Sequence, residues 1–207
     1  MSRPCRRRRC TDLARLLGRH RVAVMQHVFI DVEAYGPPGI GRPFALGAAK
    51  FDMERRVYAR AQWNIDWSGV EPIIADQRTM NWLLEQEPRV LAQTRGGQPF
   101  GKVWLAFRDF VFADGVSPRF YADDWSDFAW LDIEARRALL NTIRDWGAPQ
   151  YDTSVLVTAA DPLQVYSEVL DGELVPHVAE HDAVRGALDL IAALHGASSH
   201  WRNNHVA

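Results

Sequence analysis

Val28-Phe29-Ile30-Asp31-Val32-Glu33-Ala34-Tyr35-Gly36 is an apolar run that ends in two carboxylates and a glycine. It reads as a buried strand, in which side chains i and i+2 share one face. Asp31 and Glu33 therefore point the same way from a rigid, largely apolar element. Two like charges so placed repel, and burying them is costly unless a cation neutralises them. A divalent metal meets that need. An isolated D-x-E is more often a solvated pair on a polar edge strand. This pair gains weight from Asp127, His177 and Asp182 further along the chain.

The 207 residues, 47% apolar and 24% charged, suit one soluble globular domain with tails. No apolar stretch approaches the ~20 residues of a membrane span, and no signal peptide is visible. Cys5 and Cys10 both lie in the first ten residues with no second ligand pair nearby. That disfavours a disulfide scaffold or a zinc site, and a cytoplasmic location is expected. Residues 1–24 hold eight arginines and one acid, leaving 16 basic against 25 acidic residues in the remainder. The Arg6–Arg9 run is either a nucleic-acid arm or, as favoured here, a disordered extension or translated sequence upstream of a start at Met25. The expected organisation is this extension, a folded domain over 25–196 and a flexible tail over 197–207.

Strands are predicted over 43–51 and 58–65 after the first, then over 119–122 and 153–158. Helices are predicted over 76–91, 103–111, from about Ser126, 133–146, 161–170 and 180–195. Three strands followed by alternating helices and strands give an α/β fold: a mixed five-stranded sheet flanked by helices, ribonuclease-H-like in character.

These motifs resemble the DnaQ-like, or DEDDh, 3′–5′ exonucleases, including their phage-type and exoribonuclease-like members. The strand-borne D-x-E is Asp31/Glu33. The mid-chain motif is Phe120-Tyr121-Ala122-Asp123-Asp124-Trp125-Ser126-Asp127-Phe128. The late H-x4-D is His177-Val178-Ala179-Glu180-His181-Asp182. Thr79, Trp82 and Gln86 are similar to a helix of the same family. The resemblance spans roughly residues 27–194 and implies a metal-dependent hydrolase that removes nucleotides from single-stranded 3′ ends.

On that resemblance Asp31 bridges two ions, Glu33 and Asp182 complete one shell, and Asp127 holds the second ion. Carboxylate ligands suit Mg²⁺ or Mn²⁺ over zinc. His177 is the expected general base, since imidazole ordinarily titrates near neutrality. Asp123 and Asp124 compete with Asp127, which is preferred because Phe128, Trp130 and Leu131 anchor its helix. His181 competes with His177, but five residues beyond it stands Gly186, so that register leaves the site one ligand short. His177-Val178-Ala179-Glu180-His181 also reads H-x-x-E-H, a zinc-protease pattern that lacks its downstream glutamate here. Tyr35, Arg42, Arg78 and Trp82 are candidate substrate contacts. At least two of Trp82, Trp125 and Trp130 are expected to be core. The expected partner is single-stranded nucleic acid or a short oligonucleotide. A catalytically silent binding module of the same fold is the alternative. RNA versus DNA, and monomer versus homodimer, stay open.

Overall fold

The sheet begins as an antiparallel meander of β1 (Gln26–Ala34), β2 (Pro43–Asp52) and β3 (Arg56–Asp66). A computed structural model describes residues 26–52, 56–70, 75–154 and 174–205. After β3 come α1 (Gln77–Leu84), α2 (Pro88–Ala92), the two-residue β4 (Gln98–Pro99) and α3 (Phe100–Phe112). They are followed by β5 (Pro118–Ala122), α4 (Trp125–Arg137), a 3₁₀ turn (Arg144–Trp146), β6 (Gln150–Asp152) and α5 (Ala179–His205). The strand order is β4-β3-β2-β1-β5-β6, with β5 parallel to β1 and β6 parallel to β5. This is the ribonuclease-H-like α/β arrangement.

Strand alternation divides the interior into two layers. Val28, Ile30 and Val32 face α3 and α4, packing with Val103, Trp104, Phe107, Phe128 and Leu131. Phe29 faces the other way, onto Ala183, Val184, Ala187, Leu190 and Ile191 of α5. Each fully buried Val, Leu, Ile or Phe among them contributes ~1.5–3 kcal/mol of transfer free energy. The α5 face can approach because two positions lack a Cβ. One added at Gly47 would lie 1.9 Å from the Ala179 carbonyl oxygen, and one at Gly186 would lie 2.2 Å from the Phe29 ring.

Five sequence expectations need correction. The sheet has six strands among the described residues, because the short β4 adds to β3 through Ile65 and Asp66. Among the described residues the last strand is Gln150–Asp152, ahead of the predicted 153–158; Thr153 and Ser154 follow it, and 155–158 lie outside the described residues. The helix predicted over 76–91 is two helices, since Pro88 cannot donate a backbone bond and restricts Glu87 to an extended conformation. The predicted 133–146 helix instead continues α4 to Arg137, and Leu139 then turns left-handed at φ 56°. α5 runs past Gly196 to His205: a lone helical glycine costs only ~1 kcal/mol, and no proline follows. The arginine-rich segment and the helix predicted over 161–170 lie outside the described residues.

Candidate active site

β1 is where the strand order changes direction, and the ends of β1 and β5 open together there, as at the ligand crevices of open α/β sheets. β5 pairs with β1 only as far as Phe29 opposite Tyr121. The Val32 N–H is left beyond the end of this ladder, and the Asp127 Oδ1 accepts from it at 3.0 Å. Asp127 is 6% exposed and lies in the first turn of α4, where the helix dipole favours a negative group. Asp124 is the N-cap of that helix, accepting from the Ser126 N–H. Asp123 comes just before it, directly after the end of β5. Phe128 and Leu131 are buried behind Asp127, as the apolar start of this helix predicted.

Asp31 and Glu33, on the α5 face of β1, meet Asp182 from the first turn of α5. The Asp31 Oδ2 is buried and has no hydrogen-bond partner. Burial first, then the charges of Asp127, Glu33, Asp182 and Asp123, hold the Asp31 carboxyl well above the ordinary range. Asp127 is likewise raised, by burial and then by Asp124, against the relief from its Val32 bond. Burial and Asp182 push Glu33 up to about 8. Burial, then Asp189 and Asp182, push Asp123 up to about 6. Asp182 is raised by burial, although the His177 N–H and Arg185 oppose the shift. The cluster is thus short of positive charge.

His177 completes it from the loop before α5. Its Nδ1 lies 3.8 Å from the Glu33 Oε1, and Glu33, His177 and Asp182 each offer a ligand atom within 4.8 Å of the others. The backbone at His177 is left-handed at φ 62°, a conformation that costs a residue with a Cβ ~1–3 kcal/mol. Its N–H donates to the Asp182 Oδ2 at 2.6 Å, which ties H-x4-D together across one turn. The rival His181 is engaged elsewhere, its Nδ1 accepting from the Val175 N–H at 2.9 Å. Five sequence-predicted groups therefore converge: Asp31, Glu33, Asp127, His177 and Asp182.

The predicted substrate contacts divide. Trp82 reaches the site, its ring edge-on to the His177 imidazole at 4.7 Å. Arg78 is exposed on α1. Tyr35 is instead half-buried against Phe44 at 4.9 Å, since the Asp76 N–H and the Arg42 carbonyl hold its backbone beside the sheet. Arg42 is stacked on Trp67 at 4.6 Å, where cation–π attraction takes up its charge. Of the three tryptophans, Trp82 and Trp130 are partly buried against core clusters, and Trp130 donates to the Gly36 carbonyl. Trp125 stands 50% exposed at the start of α4, its ring against Phe128 at 5.5 Å. Sequence reasoning missed Gln93, buried under the His177 loop. Only its place in an otherwise apolar surrounding could have flagged it.

No family model and no curated protein matches this sequence. Solved structures do match in shape. The nuclease domain of 3′hExo, a DEDDh family member bound to rAMP, aligns at TM-score 0.56 and 11% identity over 82% of this chain and 92% of that one. The fold is that of the DEDDh exonucleases. Cell-death related nuclease 4 aligns at TM-score 0.60 and 10% identity over 82% of this chain, and E. coli exonuclease I in complex with a 5cy-dT13 oligonucleotide at 0.58 and 13% over 84%. This chain spans 64% and 41% of those two proteins.

Proposed function

We propose that this protein is a metal-dependent 3′–5′ exonuclease acting on single-stranded nucleic-acid ends. The observation that carries the reading is the buried, partnerless Asp31 Oδ2 set among Glu33, Asp127 and Asp182. A carboxylate oxygen shut off from water and from every protein donor is destabilised until a cation binds it. The donor set, mainly carboxylate oxygens with one imidazole at the edge, fits hard Mg²⁺ or Mn²⁺. Asp31, Glu33 and Asp182 would hold one ion, and Asp127 would help hold a second. When bound, such ions supply charge stabilisation at the phosphoryl group and activation of water. The protein's own residues do the rest. His177 takes the proton of the attacking water at Nε2, the ring nitrogen not turned to Glu33. Asp182 fixes the His177 backbone and so steadies the base. Trp82 and the exposed Trp125 offer aromatic faces to an unstacked base, and Arg78 offers a phosphate contact.

Single strands are favoured over duplex because residues beyond the first 24 are acidic in balance, while general affinity for nucleic acid comes from neutralised phosphates. Matched 3′-labelled and 5′-labelled RNA and DNA oligonucleotides, digested with Mg²⁺, Mn²⁺ or chelator, test the reading. Expected are mononucleotides released from the 3′ end and loss of cleavage with chelator. Binding of the oligonucleotides with no metal-dependent cleavage would identify a silent binding module instead.

A further inference from the structure

We infer that Gln93 is a positioning residue for the His177 imidazole, an inference that rests on the nuclease reading above. Gln93 follows α2 and is 2% exposed. Its Nε2 donates to the His177 carbonyl at 2.6 Å, and its Oε1 accepts from the Ala179 N–H at 3.0 Å. One planar amide therefore spans both sides of Val178 and grips the turn from which the imidazole projects. Asp182 already holds the His177 N–H. With the carbonyl taken by Gln93, both backbone polar groups of His177 are bound, in a left-handed conformation that is uncommon for a residue with a Cβ. The imidazole keeps only its side-chain rotations, and the Trp82 ring at 4.7 Å narrows those.

The residue type matches the task. A buried polar side chain is costly unless bonded, and Leu would fill such a space without that cost. A side-chain amide supplies a donor to His177 and an acceptor for Ala179 from one flat, uncharged group. Glutamate would keep the Ala179 bond but set a carboxylate oxygen against the His177 carbonyl. The four carboxylates stand on β1, α4 and α5, whereas His177 stands on a loop. Gln93 ties that loop to the α1–α2 unit.

The test uses the full-length chain and a double-mutant cycle of wild type, Q93L, H177A and Q93L/H177A on a single-stranded oligonucleotide with Mg²⁺ or Mn²⁺. Q93L is expected to lower kcat by on the order of 10–10²-fold, with KM within about twofold, because a misplaced group loses rate and not binding. In the H177A background it should cost nothing further. Unchanged kcat in Q93L, or the same loss in both backgrounds, would overturn the inference. Amide hydrogen exchange of the metal-free protein gives a readout independent of activity. In Q93L, residues 177–182 should exchange faster while β1 and β2 do not, and equal exchange at 177–182 would also overturn it. If the wild type cleaves no oligonucleotide, the nuclease reading fails and the exchange result alone decides whether Gln93 holds the turn. Should Q93L lack a native thermal transition, Q93E takes its place, with at least as large a loss expected. If both lack one, Gln93 is structural and the inference falls.

Discussion

Asp31 carries the strongest residue-scale expectation. Its Oδ2 has no partner, and burial with the neighbouring acids disfavours its ionised form, so Asp31→Asn removes the cost of charging this position in the metal-free protein. The variant should melt at a higher temperature than wild type in chelator, yet lose turnover by ~10³-fold, the several kcal/mol of metal catalysis at about 1.4 kcal/mol per tenfold. Calorimetry and a cleavage assay check the two halves separately. His177→Ala should lower turnover by ~10²-fold or more with metal binding nearly intact, the usual contribution of a positioned base. His181→Ala should do much less to turnover, since that ring bonds the Val175 N–H. A larger loss in His181→Ala would move the late motif by four residues. Glu33 sets a pH dependence. Its folded-state pKa is raised from 4.5 to about 8, so its protonated form favours folding. That stability is fully present below pH 4.5 and is lost as pH rises through about 8. Thermal melts in chelator should therefore fall across this window, and Glu33→Gln should flatten the fall.

At the scale of elements, the site depends on how closely α5 lies on β2. The Gly47→Ala methyl would meet the Ala179 backbone, which is no flexible side-chain end that could swing aside. Overpacking of this kind costs ~1–3 kcal/mol, and relief requires the start of α5 to lift. Since Asp182 and the His177 loop ride on that start, Gly47→Ala should lose activity beyond its loss of stability. Denaturant melts beside turnover measured well below the melting point would show it, and full turnover in a destabilised variant would count against the coupling. The β1–β5 junction is the second such element. The ladder stops at Phe29, and beyond its end Asp127 takes the Val32 N–H, so the end of a strand and the start of a helix are joined.

For the whole molecule, metal binding and folding are linked, because the repelling carboxylates come together only in the native state. At ~100 times the dissociation constant, Mg²⁺ or Mn²⁺ should add ~2.7 kcal/mol of stability, and Asp182→Asn should lose most of that gain. Melting temperature against metal concentration measures it. Much of this molecule was legible in one dimension. The alternation of Val28 to Val32 separated core from site, so the Asp31/Glu33 pair stood out as two acids on one face. The residue types of the three motifs, and their order along the chain, named the five groups. Other features were not legible, because they arise between segments distant in sequence. The break at Pro88 could be read locally, but the bond from Val32 to Asp127 joins residues 95 apart, and that from Gln93 to His177 joins residues 84 apart. The sequence likewise offered Tyr35 and Arg42 to a substrate, whereas Phe44 and Trp67 engage them. Pattern along the chain determined which groups exist and which face each one takes, because strand and helix periods are local. Only packing decided which of them meet and which side chains were already engaged, because those contacts depend on where β2, α2 and α5 come to rest.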